Sequence, residues 1–279
     1  MHTPDFNYLH DLTTEDFDVD NRPDPDTESK ILKEDLIEVF WGSDNAEARV
    51  SKKKDFGYGP FWDVEVKSGG RNILLAVDYI GPSVYWLKRF YADQGICSEA
   101  ADNSIREFLK VSRKLGGHVL FPRGNVPGGK SGRHLTLNQA RCGAAGVFDR
   151  IDITLLCLKT YYDCPELQSG DSRRDFSAFM NEMSRYFPGQ RRFEKVKPHL
   201  KRVFDSLQYY ADDFAYFGSF LGFCERQSLV GSFVTQEGAV KTFAPLYPLL
   251  PANYQDYAVR VNRAIEERNR VMHVGLIAV

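Results

Sequence analysis

Residues 117–143 read GHVLFPRGNVPGGKSGRHLTLNQARCG. The stretch opens as a short buried strand, passes through a glycine-rich basic loop, and ends in a polar segment closed by Arg141. No acidic residue occurs from Phe108 to Phe148, whereas Lys110, Arg113, Lys114, Arg123, Lys130, Arg133 and Arg141 fall inside that span, with His118 and His134. The whole chain carries a formal net charge of -2. An acid-free basic segment in such a chain is a local anion site rather than part of a general nucleic-acid coat. The element after the loop decides the fold: a helix would make the loop the phosphate cradle of an α/β nucleotide-binding domain, a strand would return it to a sheet.

Gly124 to Ser131 satisfy G-x-x-x-x-G-K-[ST]. In that pattern backbone N–H groups cradle phosphates, the lysine reaches their outer oxygens and the serine holds magnesium. Asp78, at the end of the apolar run Ile73–Val77, is placed like a magnesium-side acid. Four features argue against a hydrolysing site. Gly132 stands where a helix should begin and set its dipole toward the phosphate. Leu135-Thr136-Leu137 alternates as a strand does. Pro127 removes an N–H from the cradle. The acidic strand also precedes the loop instead of coming after it. An anion-binding loop without nucleotide hydrolysis is the reading that remains, with Arg123, Lys130, Arg133, Asn138 and Arg141 as its contacts and a nucleotide or nucleic acid as its partner.

Outward from this segment the pattern is strands first, helices later. Residues 1–29 hold nine Asp/Glu against one arginine, with Pro4, Pro23 and Pro25, and read as an acidic N-terminal arm whose Phe6, Tyr8, Leu9 and Phe17 can pack on the body. Thr27 or Ser29 caps a helix to about Trp41. Lys52-Lys53-Lys54 reads as a solvated turn. Residues 60–80 read as a hairpin turning at Ser68-Gly69-Gly70-Arg71, with Asp63 and Glu65 on the polar face of its first strand. Residues 84–92 fit a helix or a third strand. Residues 99–115 fit a helix stopped by Gly116-Gly117, and 118–122 a strand. Helices are expected from Asp149 or Arg150 onward, over 176–187, over 193–217 with a boundary or kink at Pro198, over 223–229, and over 252–273. Residues 232–243 read as an edge hairpin. The expected fold is α+β: a small, mainly antiparallel sheet from the N-terminal half packed against a helical C-terminal half, as a single domain over 30–279.

Hydrophobic residues make up 43% of the 279, enough for a sizeable core. The five cysteines are scattered, without a CxxC pair, and read as reduced thiols of a cytoplasmic protein. They offer no metal-ligand spacing, and no cofactor is expected. No basic-then-apolar leader and no membrane-length apolar run is present.

Two further clusters carry chemistry. Asn138, Gln139 and Arg141 with Asp149, Arg150 and Asp152 read as a polar network, structural salt bridging being its plainer form. Arg191, Arg192, Lys195, Lys197, Lys201 and Arg202 form a second basic face, which together with the central loop could track a nucleic-acid backbone.

Near the end of the chain, Arg268-Asn269-Arg270-Val271-Met272-His273 resembles the R-N-x-x-x-H signature of HEPN-type ribonucleases. The resemblance implies metal-independent RNA cleavage, with His273 handling the ribose hydroxyl proton and Arg268 stabilising the phosphorane. Arg268 and His273 lie about 140° apart around a helix, so a partner helix would be needed and a homodimer is left open. A non-enzymatic interaction module, its basic loop docking an acidic partner, is the third reading.

A wider resemblance rests on Asp24-Pro25-Asp26-Thr27, Trp41, Leu120-Phe121-Pro122, Leu135-Thr136-Leu137-Asn138-Gln139-Ala140-Arg141, Phe148 through Leu155, Tyr216-Phe217-Gly218 and Glu267-Arg268-Asn269-Arg270. With these the chain resembles an uncharacterised bacterial family, a domain of unknown function. The resemblance implies one unit and no known activity. Its members have a shorter central loop, which shifts weight from Gly-Lys-Ser to Thr136, Asn138 and Arg141.

Overall fold

The computed structural model describes residues 5–8, 29–42, 47–52, 62–123, 137, 149–164 and 175–277. Within them the fold is α+β, with the strands in the N-terminal half and helices dominating the C-terminal half. The described residues form two compact units, one within Met1–Phe121 and Asn253–Val279, the other within Pro122–Ala252.

The first unit is built on a four-stranded sheet. Helix α1 (Lys30–Trp41) starts where the Ser29 side chain accepts from Leu32 N at 3.0 Å. Strand β1 (Ala48–Lys52) pairs antiparallel with β2 (Trp62–Ser68), from Ala48 opposite Val66 to Lys52 opposite Trp62. Lys52 thus belongs to a strand and not to a solvated turn. β2 pairs antiparallel with β3 (Arg71–Tyr79). Gly69 and Gly70 both take positive φ, the conformation this two-residue turn requires. Helices α2 (Val84–Asp93) and α3 (Ser98–Ser112) then lead through a 3-10 turn (Leu115–Gly117) to β4 (His118–Pro122), which lies next to β3 in the sheet. The long helix α9 (Tyr254–Ile277) closes the unit against α1, α2, α3 and the 3-10 turn.

The alternation in β2 does not leave a wet face. Asp63 and Glu65 are both buried, because α1 packs on this strand and brings the buried Lys33 close to Asp63. Burial pushes the Asp63 carboxyl up to about 7, opposed by the Lys33 charge. Glu65 meets Arg49, its cross-strand neighbour, at 2.9 Å. The N-terminal arm contributes residues 5–8 to this unit. Tyr8 is buried and donates to Asp35 Oδ2 at 2.5 Å, while Asn7 Nδ2 donates to Leu109 O and Lys110 O.

The second unit is helical: α4 (Ile151–Asp163), α5 (Phe176–Ser184), α6 (Gln190–Tyr209), the short α7 (Ala211–Phe214) and α8 (Phe220–Arg226). α6 runs through Pro198 without interruption. The expected hairpin at 232–243 forms only two isolated bridges, Val230 with Val234 and Val234 with Val240. Phe233 and Val234 both turn inward, which is incompatible with the alternation of a half-exposed strand. Among the described residues no helix is long and apolar enough to cross a membrane.

Candidate functional site

In the second unit, α6 arranges its charges by helical phase. At 100° per residue, Arg192, Lys195, His199, Arg202, Ser206 and Tyr210 fall on an arc of about 80°, with Arg191 at its edge. The row is ~27 Å long. It flanks the face through which Val196, Leu200, Val203 and Leu207 enter the core. Arg191, Arg192, Lys195 and Arg202 are exposed and make no ion pair among the described residues. Lys197 and Lys201 lie on another side of the helix and are neutralised there, by Glu194 at 3.8 Å and by Asp205. The structure thus splits the basic face seen in the sequence into two paired lysines and a row of four cations without ion pairs among the described residues. Arg192 also lies over the Tyr247 ring, 5.7 Å from its centre.

The row ends at two hydroxyls. Ser206 Oγ and Tyr210 OH are buried and have no hydrogen-bond partner among the described residues. A buried hydroxyl in this condition costs about 1–3 kcal/mol, and native structures carry few of them without a reason. Arg123 comes within electrostatic range of Tyr210. Burial lowers the pKa of Arg123, with Tyr210 acting in the opposite direction. Tyr210 is raised by burial first and by Tyr209 next, while Arg123 lowers it. His199 is lowered by burial and by the Arg202 charge. Arg123 directly follows β4 and precedes the glycine-rich segment, so the root of that segment and the end of the row belong to one unit. Lys130, Arg133, Asn138 and Arg141 lie outside the described residues, as do Gly124–Ser131 and Thr136.

Of the network expected around Arg150, Asn138, Gln139 and Arg141 lie outside the described residues, and the described part is a buried ion pair. Arg150 grips Asp152 with both forks, Nε to Oδ1 at 3.1 Å and Nη2 to Oδ2 at 2.7 Å. The two side chains are 1% and 0% exposed. Arg150 also donates to Ala244 O and Pro245 O, and Asp152 accepts from Phe243 N. Together they tie the 243–249 segment to the start of α4.

In the first unit, α9 carries Arg268, Asn269 and His273. Arg268 is fully buried, and its Nη1 donates to Gly116 O at 2.6 Å and His118 O at 2.8 Å. Asn269 Oδ1 accepts from Gly116 N at 3.0 Å. A Cβ on Gly116 would sit 2.6 Å from Ile265 O, so the 3-10 turn reaches α9 only because residue 116 is glycine. Arg268 and Asn269 therefore act as a polar clamp on this turn. His273, almost one and a half turns further on, is also buried; burial lowers its pKa, and Asp35 and then Asp5 oppose that shift. Arg268 reaches the backbone of the 3-10 turn while His273 is in electrostatic range of Asp35.

Of the predicted site residues, Arg123 is thus placed at the end of a basic row, and Arg268 and His273 are placed in the interior of the other unit. Ser206, Tyr210 and His199 were not among the predicted residues. Their signal was the continuation of the Arg192–Arg202 spacing past residue 202, hidden because Tyr210 at helical spacing looks like a core ring. Among the described residues no group of three His, Cys, Asp or Glu could hold a metal ion.

No curated protein and no solved structure matches the chain. A family model described as a family of unknown function, DUF6994, matches residues 10–195. That match covers well over half of the sequence, from the acidic arm through the sheet and the glycine-rich segment into the first turns of α6, and the chain belongs to this family.

Proposed function

We propose that the protein binds a phosphate-bearing ligand through the second unit, and that the length of the α6 row favours a nucleic-acid strand over a single nucleotide. The observation that supports this reading is the row Arg191, Arg192, Lys195 and Arg202, exposed and without ion pairs among the described residues, leading to Ser206, Tyr210 and Arg123. Exposed cations without an acidic protein partner gain by releasing the counterions of a polyanion. The two hydroxyls and the half-buried guanidinium supply donors at one end, where hydrogen bonds to phosphate oxygens would be charge-assisted. Lys130, Arg133, Asn138 and Arg141 would add contacts from the segment that begins beside Arg123.

The test is salt-dependent binding of single-stranded RNA, single-stranded DNA and ATP, read by fluorescence anisotropy. Each neutralised phosphate contributes about 0.7 to the log–log salt slope for a single strand. Four cations of the row therefore account for a slope of about 2.8. Between about 50 and about 200 mM salt, the row alone would then change affinity by about 50-fold. The variant R191Q/R192Q/K195Q/R202Q should lose that share of the slope and keep whatever the glycine-rich segment contributes. Absence of binding to all three ligands, or a slope unaltered in this variant, would overturn the proposal.

A further inference from the structure

In the first unit, α3 and α9 leave a groove of 330 Å³ between them. Phe108 and Val111 line it from α3 and Val259 from α9. Val259 is 43% exposed, an apolar side chain left open to solvent on a helix that is otherwise well covered at its Ala258 and Val261 neighbours.

Asn262 is the buried member of the lining, at 7% exposure. Its Nδ2 donates to Phe108 O at 3.1 Å. That bond settles the orientation of the amide, since only the amino end can meet a carbonyl. Asn262 Oδ1 is then the other end, and it is buried with no hydrogen-bond partner among the described residues. An acceptor in that position calls for a donor. Glu107 and Glu266 stand at the rim together with Arg263. Glu107 is held by Lys110 at 2.6 Å, whereas Glu266 makes no ion pair among the described residues.

We propose that this groove binds a small amphipathic primary amine. Its ammonium group donates to Asn262 Oδ1 and to the Glu266 carboxylate, and its apolar body lies along Phe108, Val111 and Val259. The volume is at the lower end of the range for small-molecule sites, which limits the ligand to one ring or a short chain. An anion of the same shape could pair with Arg263 but has no donor for Asn262 and would be repelled by Glu266. Arg263 sets a second limit, because a ligand with a further positive charge at the rim would meet it. The groove shares no residue with the α6 row, so the two proposals stand or fall separately.

The probe is phenethylamine, titrated into the full chain with binding read by heteronuclear NMR and by calorimetry. 3-Phenylpropionate, similar in shape and opposite in charge, serves as the control. Saturable binding of phenethylamine, with shifts at residues of α3 and α9 and affinity at least about tenfold above that of 3-phenylpropionate, is expected. E266Q should weaken it by about tenfold while leaving the melting temperature unchanged. N262L should weaken it at least as much; if that variant fails to fold, E266Q alone decides. No saturable binding of the amine, equal binding of the carboxylate, or unchanged affinity in E266Q overturns the assignment.

Discussion

Replacing Arg150 by methionine is the most severe test of how the second unit is held together. Methionine keeps most of the volume and removes the charge. Asp152 would then remain at 0% exposure without its counter-ion, keeping only its bonds from Ile153 N and Phe243 N. Removing one partner of a buried ion pair costs about 3–5 kcal/mol. Ala244 O and Pro245 O also lose their donors, so R150M belongs at the upper end of that range unless water reaches them. The cost lies in stranding the partner, not in the absence of an attractive pair, and the double variant R150M/D152L separates the two. It removes both charges together and should be destabilised by about 2–3 kcal/mol less than the sum of the singles. Urea unfolding followed by far-UV circular dichroism measures all three. All three tryptophans, Trp41, Trp62 and Trp86, lie in the first unit, so the helical signal is the appropriate reporter. A loss below about 1 kcal/mol for R150M, or a double variant as unstable as the sum, would mean that Asp152 does not depend on Arg150 in this way.

Three other outcomes are expected in the first unit. R268M leaves Gly116 O and His118 O without their donor and should cost about 2–4 kcal/mol; R268K, able to reach one carbonyl, should recover part of it, and thermal melting compares the two. G116A forces a Cβ to within 2.6 Å of Ile265 O and should cost about 1–3 kcal/mol by overpacking, with hydrogen exchange accelerating first at the 3-10 turn. For Asp63, folding raises the pKa from 3.8 to about 7, so between these values the folded state holds the proton more tightly than the unfolded one. Stability therefore falls as pH rises through that window, by at most about 1.4 kcal/mol per pH unit from this group. D63N should flatten the decline between pH 5 and pH 7 in urea titrations, and an unchanged slope would show that burial does not act on this carboxyl as described.

What the sequence disclosed was local. The Ser29 cap, the Gly69-Gly70 turn and the periodicity of α1, α3, α4 and α9 are each set by residues a few positions apart, and all were legible. β1 was not, because only Ala48 of ARVSK is buried and its partners on β2 lie beyond an intervening segment. A charged edge strand looks like a solvated turn until its neighbour is known. Gly116-Gly117 was read as a helix stop, which requires only local chemistry. The demand on Gly116 comes from Ile265 and Asn269, on a helix about 150 residues further along the chain. The same distance explains the clamp made by Arg268 and Asn269: their partners are backbone groups of Gly116 and His118, which no pattern within 268–273 could reveal.

The basic row depends on Pro198 for its meaning. Proline has no N–H to return to the carbonyl four residues earlier, and in the sequence it marks a boundary or kink. Had the chain broken there, Arg192 and Lys195 would be out of phase with Arg202, Ser206 and Tyr210, and the six basic residues of 191–202 would be a scattered solvated face. Because α6 continues through residue 198, the same charges sort into two groups. Lys197 and Lys201 meet acids one turn away on their own helix, and a paired surface lysine contributes little to binding or stability. Arg191, Arg192, Lys195 and Arg202 make no ion pair among the described residues, since Glu194 and Asp205 are taken up by the two lysines. At its buried end Ser206 and Tyr210 have no hydrogen-bond partner among the described residues, where solvent would have supplied one. Under the proposed function, a phosphate-bearing ligand at this end of the row would supply acceptors for these hydroxyls, so the row and the two hydroxyls answer to the same binding test.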